Sequence, residues 1–392
     1  MRYVVLGMGI SGKAAASYLL RQGHHVIGVD RKASALDLSE LSGLVLSDEN
    51  ITFENVDQVI VSPGISLSHP LVQQAFAKNI EVIGEVEFAF RNIRNRCIGI
   101  TGSNGKTTTT LQIAHVLKAA GLRARAVGNV GVSLSTVLGN VEDDEILVVE
   151  LSSFQLDTLK QRCLDYAVIL NITENHLDRY PSMREYAEAK IAIQDCLKEN
   201  GTLFITEQVQ NRYSFKRKFA FFDVFAICSK FGITRVVFDQ ALASFKKPPH
   251  RIEWIGEKDG VTFYNDSKSS NVESVIFAVR QMQNPVILIV GGTDKGSNYR
   301  PWIDCFKNTV KHVIAYGLAK EKIEHELEGS IPFTKVGPFA EAVEIACKMA
   351  QEKDIVLLSP GCSSYDQFAN FERRGEVFKE LIRKWIERKQ FS

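Results

Sequence analysis

The sequence lacks the features of a membrane-spanning, disulfide-stabilised or nucleic-acid-binding chain. No apolar run approaches the roughly 20 residues that a bilayer-spanning helix needs. The seven cysteines show no Cys-x-x-Cys spacing and no cluster with histidine, which argues against a disulfide framework or structural zinc and favours a reducing compartment. Because 47 Lys and Arg balance 46 Asp and Glu, the surface is not expected to bind nucleic acid or an anionic membrane. A local basic pocket for phosphates is compatible with this balance.

The chain is long enough for two or three domains. Its 392 residues exceed what one hydrophobic core usually serves, and 45% of them are apolar, as in a soluble globular protein. The first six residues lead directly into a glycine-rich loop, which predicts a strand and not a signal peptide. Two junctions, the polar stretch 91–96 and the paired prolines at 248–249, predict domains 1–90, 91–247 and 248–392. We expect a cytoplasmic protein.

Short apolar runs alternate with longer amphipathic stretches, a pattern typical of parallel sheets with helical crossovers. The runs predicted as strands are 2–6, 26–29, 58–61, 80–83, 97–100, 146–149, 166–170, 202–205, 261–264, 286–290, 312–315 and 355–358. The main stretches predicted as helices are 12–22, 106–120, 183–198, 271–282, 339–351 and 372–388. The expected fold class is therefore α/β.

A glycine-rich turn follows the first predicted strand. Residues 7–12, Gly-Met-Gly-Ile-Ser-Gly, open a helix, and Asp30 ends the next strand. Such glycines let the backbone approach a diphosphate at a helix N-terminus, so the pattern predicts a phosphate-bearing ligand without naming the nucleotide. A tight turn without a ligand is the alternative. Arg31, Lys32 and the segment 62–64 also follow strand ends, although such residues are often ordinary surface charges or turns.

A second phosphate-binding loop follows the strand 97–100. Residues 101–107, Thr-Gly-Ser-Asn-Gly-Lys-Thr, end as a P-loop does, although Ile100 stands where the usual spacing has a glycine. The loop still offers consecutive amides for phosphates, Lys106 for the β and γ oxygens and Thr107 for Mg²⁺. It predicts binding of a nucleoside triphosphate.

Two further residues qualify as metal or phosphate ligands by position. Glu150 ends a predicted strand, where a carboxylate can complete the protein ligands of Mg²⁺, although a surface glutamate is the alternative. His176 lies in the loop 171–180, predicted at the same sheet edge as the P-loop, although a lone loop histidine is often structural. Lys190 is simply a lysine on a helix face by sequence alone.

Three polar, glycine-containing loops end strands in the last part of the chain, at 265–271, 291–296 and 359–368. Together with Arg251 and its neighbour His250, they predict a ligand-binding edge, since open α/β sheets bind ligands at the carboxyl ends of their strands. Taken separately, each loop could be an ordinary turn between strand and helix.

Three of these segments together resemble the Mur ligase family: residues 99–107, the run Glu-Leu-Ser-Ser-Phe-Gln-Leu from Glu150, and residues 171–180. The resemblance extends to all three predicted domains and accounts for the irregular P-loop. It implies a Rossmann-like N-terminal domain, a central P-loop NTPase-like domain and a Rossmann-like C-terminal domain. It also implies ATP-dependent addition of D-glutamate to UDP-N-acetylmuramoyl-L-alanine through an acyl phosphate, in peptidoglycan precursor synthesis, by a monomer.

The resemblance assigns roles to individual positions. The UDP-substrate would contact Gly9, Ile10, Ser11, Arg31, Lys32, Ser62 and Asn129. ATP would contact Gly102, Ser103, Asn104, Gly105, Lys106, Thr107, Thr108, Arg251, Asp266 and Lys268. D-glutamate would contact Ser270, Lys295, Ser364 and Phe371. Two Mg²⁺ ions would be held by Thr107, Glu150, His176 and a Lys190 carbamylated by CO₂, with Lys106, His176 and Lys190 as the catalytic set. Carbamylation needs a neutral amine, so the pKa of Lys190 must be lowered by its surroundings.

One departure from the family and three alternatives stay open. Between Lys190 and His250 the chain is shorter than is usual in the family, and the expected asparagine-bearing helix start at the adenine is not visible. A degenerate homologue that binds the UDP-sugar without turnover is therefore one alternative. Another is a different Mur ligase or a folylpolyglutamate synthetase. An NAD-dependent oxidoreductase would use only the first glycine-rich loop and leave Lys106, Glu150 and Lys295 without a role.

Overall fold

Three β-sheets with helices packed on them form the part of the chain that the computed structural model describes, which is residues 1–31, 41, 44–47, 51–177 and 179–387. Each sheet is built from one continuous stretch of sequence, and helices connect its parallel strands. The predicted three-domain α/β architecture is confirmed.

The first sheet has five parallel strands in the order β3-β2-β1-β4-β5. Its strands are β1 Arg2–Leu6, β2 His25–Val29, β3 Val45–Ser47, β4 Gln58–Val61 and β5 Glu81–Gly84. Its helices are α1 Ile10–Arg21, α2 Pro70–Ala77 and α3 Glu85–Arg91. The central strands β1 and β4 are apolar along most of their length because both faces of a parallel sheet are covered.

The second sheet has six parallel strands in the order β11-β10-β9-β6-β8-β7. Its strands are β6 Cys97–Thr101, β7 Ala124–Gly128, β8 Ile146–Glu150, β9 Leu164–Ile169, β10 Leu197–Ile205 and β11 Phe219–Phe221. Its α-helices are α4 Lys106–Ala119, α5 Ser153–Leu156, α6 Met183–Ile191, α7 Glu207–Gln210, α8 Val224–Cys228 and α9 Arg235–Ala243. Because β6 lies between β8 and β9, the loops that follow these three strands meet at one edge of the sheet.

The predicted helix 183–198 is shorter than expected. The α-helix ends at Ile191, one 3₁₀ turn covers Ala192–Cys196, and Leu197 already belongs to β10. Leu197 is fully buried and pairs with Leu164 of β9, so sheet pairing takes precedence over the helical pattern here.

The third sheet also has six strands, in the order β12-β13-β17-β14-β15-β16. Its strands are β12 Glu253–Lys258, β13 Val261–Asn265, β14 Val286–Gly291, β15 Val310–Tyr316, β16 Phe333–Lys335 and β17 Ile355–Gly361. Only the pairing of β12 with β13 is antiparallel among those described. The helices are α10 Val272–Arg280, α11 Pro301–Phe306, α12 Lys320–Leu327, α13 Phe339–Met349 and α14 Phe371–Glu387. The adjacent strands β13, β17 and β14 carry the three predicted ligand loops.

The chain divides into two compact units. One comprises residues 1–172 and 186–245, and therefore the first two sheets; the other comprises residues 173–185 and 246–392, and therefore the third sheet. The limits 1–90, 91–247 and 248–392 remain a prediction. Within the described ranges, no helix has the length and apolar character to cross a membrane.

Candidate active site

The first glycine-rich loop is held closely against the first sheet. The Gly7 amide donates to the Val29 carbonyl at 2.8 Å, and the Met8 amide donates to Asp30 Oδ2 at 2.9 Å. The Ser62 hydroxyl donates to the Gly7 carbonyl at 2.7 Å. Asp30 therefore closes the loop, and Ser62 supports it from the next strand end.

The start of helix α1 remains open to a ligand. Gly9 is the N-cap and supplies no side-chain hydrogen bond, and Ile10 is 79% exposed. A Cβ at Gly12 would overlap the Gly7 carbonyl oxygen, so only glycine permits this turn to pack so closely. The first amides of the helix, including that of Ser11, have the orientation that binds phosphate at a helix N-terminus.

A pocket of about 380 Å³ lies beside this loop. Its polar lining includes Asp30, Arg31, Ser66 and His69. The structure therefore brings Arg31 together with the glycine-rich loop, whereas Lys32 lies outside the described residues.

The P-loop is fixed by Asn171, which follows β9. The Ser103 amide donates to the Asn171 carbonyl at 2.9 Å, and the Asn104 amide donates to Asn171 Oδ1 at 2.8 Å. Asn171 Nδ2 returns a hydrogen bond to the Asn104 carbonyl at 3.0 Å. Gly102 and Gly105 have φ values of 152° and 85°, where glycine is favoured. The side chain of Asn171 thus pairs with the loop as a neighbouring strand would.

Two lysines converge on one carbonyl of this loop. Lys106 Nζ donates to the Gly102 carbonyl at 2.7 Å and to the Ser103 carbonyl at 3.1 Å. Lys190 Nζ donates to the same Gly102 carbonyl at 3.0 Å. The side-chain nitrogens of the two lysines are thereby placed near each other at the P-loop.

Lys190 is buried, with 2% of its surface exposed. Burial and the neighbouring charge of Lys106 lower its pKa well below the ordinary value, although Asp157 and Glu150 oppose this shift. A neutral amine is the condition that carbamylation requires. The ring of Tyr186, one helical turn earlier, lies 4.7 Å from Lys190 Nζ, and the Tyr186 hydroxyl lies 3.1 Å from Ser103 Oγ.

Glu150 has the surroundings of a cation ligand. It is 2% exposed, and its Oε1 accepts a hydrogen bond from Asn129 Nδ2 at 3.0 Å. Its Oε2 is buried and has no hydrogen-bond partner among the described residues. A buried carboxylate oxygen without a partner is costly unless a cation or water meets it, so the site fits Mg²⁺. Thr107, on the first turn of α4, is 4% exposed and has the hydroxyl such a site needs.

The described residues supply few carboxylate or imidazole ligands for a metal at this site. In the described part of the chain, no group of three or more His, Cys, Asp or Glu residues could hold a metal. Mg²⁺ usually takes only one or two carboxylates and fills its shell with phosphate and water oxygens, which agrees with a single glutamate.

His176 belongs to the compact unit that contains the third sheet, whereas Lys106, Glu150 and Lys190 belong to the other. Its φ is 59°, and its amide donates to Asn175 Oδ1 at 3.0 Å. The metal role of His176 therefore remains a prediction.

In the unit of the third sheet, Arg251 lies between two residues with left-handed backbone. His250 has a φ of 62° and Ile252 a φ of 47°. The Ile252 amide donates to Asp266 Oδ1 at 3.2 Å, and the Ser359 hydroxyl donates to Asp266 Oδ2 at 2.8 Å. Burial raises the pKa of Asp266 to about 6. The structure thus brings together the segments that carry two of the predicted ATP contacts.

The residues predicted for D-glutamate lie on three neighbouring loops. Lys295 Nζ donates to Ser270 Oγ at 3.3 Å, so two of them are in direct contact. The Lys295 loop and the Ser364 loop are joined by paired backbone hydrogen bonds between Thr293 and Ser363, at 2.9 and 3.0 Å.

The remaining predicted contacts of this unit also meet. Phe371 begins α14, and Lys268 Nζ lies 5.0 Å from the centre of its ring. A predicted contact of ATP and a predicted contact of D-glutamate are therefore neighbours.

Sequence reasoning assigned no role to three residues that support this site: Asn171, Tyr186 and Arg374. Tyr186 could have been found, because residues four apart share a helix face and Lys190 follows it by four. Arg374 is fully buried and donates to the Cys362 carbonyl and to the Ser267 carbonyl and hydroxyl, so it links two ligand loops. Nothing in the local sequence distinguishes it from the neighbouring arginine.

Family models match three consecutive stretches of the chain. The descriptions are Mur ligase MurD-like, N-terminal domain, for residues 1–84; Mur ligase middle domain for residues 100–233; and Mur ligase, glutamate ligase domain, for residues 250–362.

Similar proteins cover nearly the whole chain. UDP-N-acetylmuramoylalanine–D-glutamate ligase from Protochlamydia amoebophila (strain UWE25) is 41% identical, with 97% of each chain covered. The protein of the same name from Chlamydia felis (strain Fe/C-56) is 39% identical with the same coverage. The alignment with the first spans 431 positions, more than the 392 residues of this chain, so it includes gaps in this chain.

Among solved structures, MurF ligase from Thermotoga maritima in complex with ADP has a similar fold. Its TM-score is 0.57 at 18% identity, with 84% of this chain and 90% of that chain covered. With relatives this similar over 97% of its length, the chain belongs to the Mur ligase family.

Proposed function

We propose that this protein is an ATP-dependent ligase that joins the amine of D-glutamate to the alanyl carboxylate of UDP-N-acetylmuramoyl-L-alanine. The similarity to D-glutamate ligases over 97% of the chain supports the choice of substrates. The observation that carries the chemistry is the convergence of Lys106 and the buried Lys190 on the P-loop carbonyl of Gly102. We further propose that it acts as a monomer in the cytoplasm.

The reaction has two steps. An oxygen of the alanyl carboxylate attacks the γ-phosphorus of ATP, the bond to the β-γ bridging oxygen breaks, and an acyl phosphate and ADP result. The uncharged amine of D-glutamate then attacks the acyl carbon, and the tetrahedral intermediate expels phosphate and loses a proton to give the amide. Both steps depend mainly on positioning and on compensation of negative charge.

The P-loop residues bind and orient the triphosphate in this proposal. Lys106 would exchange its bonds to the loop carbonyls for oxygens of the β- and γ-phosphates, and residues 102–108 would supply amides and hydroxyls. Thr107, Glu150 and carbamylated Lys190 would hold Mg²⁺, with His176 at a second ion. Mg²⁺ would supply neutralisation of the charge on the transferring phosphoryl group.

The other two substrates would use the remaining loops. The start of α1, with Gly9, Ile10 and Ser11, would bind the diphosphate of the UDP-sugar, and Arg31 would lie toward the uridine. Ser62 and Asn129 are also assigned to the UDP-substrate. Ser62 in addition donates a hydrogen bond to the Gly7 carbonyl, and Asn129 donates one to Glu150.

In the third domain we assign Ser270, Lys295, Ser364 and Phe371 to D-glutamate. The Lys295 ammonium offers the charge that an acidic substrate needs in a partly desolvated pocket. Arg251, Asp266 and Lys268 are assigned to ATP.

The test is release of ADP by the purified protein with ATP, Mg²⁺, UDP-N-acetylmuramoyl-L-alanine and one amino acid at a time. We expect release only with D-glutamate among D-glutamate, L-glutamate, L-alanine and L-lysine. Lys106→Met should lower the rate by about 100-fold or more, since Lys106 would act on charge that develops in the transition state.

Two results would contradict the proposal. ADP release with another amino acid, or with dihydropteroate and L-glutamate, would indicate a different amide ligase. Binding of the UDP-substrate without any release of ADP would identify a homologue without turnover.

A further inference from the structure

A buried tyrosine joins the two loops that carry Lys295 and Ser364. Tyr299 has no exposed surface, and its hydroxyl lies 2.8 Å from Asp294 Oδ1 and 3.0 Å from Cys362 Sγ. Asp294 directly precedes Lys295, and Cys362 precedes Ser364 by two residues. One hydroxyl therefore spans the two sides of the candidate D-glutamate pocket.

The carboxylate of Asp294 organises the loop around Lys295. Its Oδ1 also accepts from the Ser297 amide at 3.2 Å, and its Oδ2 accepts from the Gly296 amide at 3.2 Å and from Lys322 Nζ at 2.9 Å. Although burial opposes the shift, hydrogen bonds from Lys322 and Tyr299 hold the pKa of Asp294 below its ordinary value. The carboxylate is therefore charged at neutral pH and fixes residues 294–297 as a closed turn.

The direction of the hydrogen bonds follows from the charges. A carboxylate is a stronger acceptor than a thiol, so the single proton of the Tyr299 hydroxyl goes to Asp294. Burial raises the pKa of Cys362 to about 12, so its thiol keeps its proton and can donate to the tyrosine oxygen. The hydrogen bonds therefore run from Cys362 to Tyr299 and from Tyr299 to Asp294, and Lys322 is the second side chain that donates to the carboxylate.

Lys322 ties this turn to helix α12. Besides Asp294, it donates to the Ser297 carbonyl at 2.7 Å, and the helix begins only two residues before it. A long lysine side chain such as Lys295 is flexible by itself, so the backbone of residues 294–297 decides where its ammonium group can reach.

We propose that Asp294, Tyr299 and Lys322 form a positioning unit that fixes the Lys295 loop against the Ser364 loop and so sets the affinity for D-glutamate. None of the three is a catalytic residue, since the unit acts through the two loops that it joins. The inference rests on the proposed function only for the identity of the amino acid.

The first test is steady-state kinetics of Tyr299→Phe and Lys322→Met. Tyr299→Phe loses the hydroxyl contacts with Asp294 and Cys362, and Lys322→Met loses the hydrogen bonds to Asp294 and to the Ser297 carbonyl. Because both variants keep much of the side-chain volume, we expect the KM for D-glutamate to rise about tenfold. The KM values for ATP and the UDP-substrate, and kcat at saturating D-glutamate, should stay within about twofold. An unchanged KM for D-glutamate, or an equal rise in all three KM values, would overturn the inference.

A matched control contacts the same helix from strand β16. Lys335 pairs with Glu321 and Glu324 of α12 at 2.7 and 2.6 Å on the exposed side. Lys335→Met therefore removes a lysine contact from α12 without touching the turn, and its KM for D-glutamate should equal that of the wild type. A rise as large as that of Lys322→Met would mean that α12 is merely sensitive to charge loss.

The second test does not depend on activity. Hydrogen–deuterium exchange of the full chain should show faster exchange of the Gly296 and Ser297 amides in Tyr299→Phe, with other regions unchanged. Unaltered exchange there would refute the positioning unit, whatever the kinetics. If the wild type instead shows no D-glutamate-dependent release of ADP, the proposed function fails while the exchange result still decides whether the loop is fixed as described.

Discussion

At the scale of single residues, Lys190 is the side chain whose surroundings most clearly disfavour its usual charged form. A buried lysine beside a second cation is unfavourable as an ammonium group, and although Asp157 and Glu150 partly offset this, Lys190 itself contacts a carbonyl and an aromatic ring. Conversion to a carbamate would replace this repelled cation with an anionic oxygen ligand for a metal. The surroundings that disfavour the ammonium form of Lys190 are therefore the same ones in which a carbamate would be useful.

This leads to a prediction for Lys190→Ala. The variant should lose at least about 100-fold in ADP release, because a charged oxygen ligand near the transferring phosphate is missing. Acetate or propionate should restore part of the activity, since a small acid can occupy the space of the carbamate. The measurement is the rate of ADP release against acid concentration.

Lys106→Ala is the matched control for that experiment. It removes a neighbouring lysine whose proposed role is cationic, so added acids should not restore it. If acids leave Lys190→Ala as inactive as before, the carbamate assignment is wrong.

A second residue-scale prediction concerns Asp266, which is 2% exposed and whose burial raises its pKa to about 6. Its pKa in the unfolded chain is about 3.9. Between about pH 4 and pH 6, Asp266 is therefore mainly protonated in the folded state and mainly ionised in the unfolded chain. The contribution of Asp266 to stability is therefore full below about pH 4 and is lost as the pH rises through 6. The difference between a pKa of about 6 and one of about 3.9 corresponds to roughly 3 kcal/mol.

The check is urea unfolding of the wild type and Asp266→Asn at several pH values. The free energy of unfolding of the compact unit that contains Asp266 should fall, in the wild type relative to the variant, by about 3 kcal/mol between pH 4 and pH 7. Asn cannot titrate, so its own curve supplies the background from all other groups. Parallel curves for the two proteins would show that Asp266 is ionised normally.

At the scale of secondary-structure elements, the sequence predicts central strands well and edge strands poorly. Strands such as β8 and β14 are buried on both faces, so their apolar runs are continuous. Of the six edge strands, only β5 is predicted from the sequence. The other five, β3, β7, β11, β12 and β16, are short or mix polar with apolar residues and are not predicted. These segments form strands because they pair with a neighbouring strand, and the local sequence does not show that such a partner is present.

The same distinction applies to the candidate site. The ligand loops could be predicted because glycine-rich turns follow recognisable strands. The contact of Asn129 with Glu150 could not, because it requires β7 to lie beside β8, and β7 was not recognisable. The pairing of Asn171 with the P-loop likewise depends on β9 being the neighbour of β6.

Gly128 offers a prediction at this scale. It ends β7 opposite Glu150 with a φ of 101°, and a Cβ there would overlap the Glu150 carbonyl oxygen. Gly128→Ala should separate the two strand ends, cost about 2 kcal/mol or more of stability, and reduce ADP release by at least about tenfold. Thermal unfolding and the ADP assay measure both effects.

Gly139→Ala is the control for backbone strain alone. Gly139 has a φ of 78°, and nothing lies within 4 Å of a Cβ built on it. Equal losses of activity in the two variants would mean that strain, and not displacement of Glu150, explains the result.

At the scale of the whole molecule, two carboxylates help to make the first two sheets one compact unit. Both lie on α3, which follows the first sheet. Glu85 Oε1 accepts from the Ser135 amide at 2.6 Å, and Glu87 Oε2 accepts from the Lys160 and Gln161 amides at 2.7 and 2.9 Å. Both glutamates are 1% exposed. These buried hydrogen bonds join the helix that follows the first sheet to two segments of the second domain, although burial raises the pKa of Glu85.

The third sheet has its own apolar cores on both faces, so the chain should not unfold in a single two-state transition. We expect two calorimetric transitions, one for each compact unit. UDP-N-acetylmuramoyl-L-alanine at 100 times its Kd should stabilise only the unit that contains the first two sheets, by about 2.7 kcal/mol, because it binds only the folded form. D-glutamate should raise only the other transition.

The variant Lys295→Met separates these effects, because it should abolish the shift with D-glutamate and leave the shift with the UDP-substrate intact. Scanning calorimetry with each ligand alone measures both. If both ligands raise both transitions equally, the two binding sites are not divided between the units as their residues indicate. If the UDP-substrate shifts neither transition, the glycine-rich turn at Gly7–Gly12 is structural and the substrate binds elsewhere.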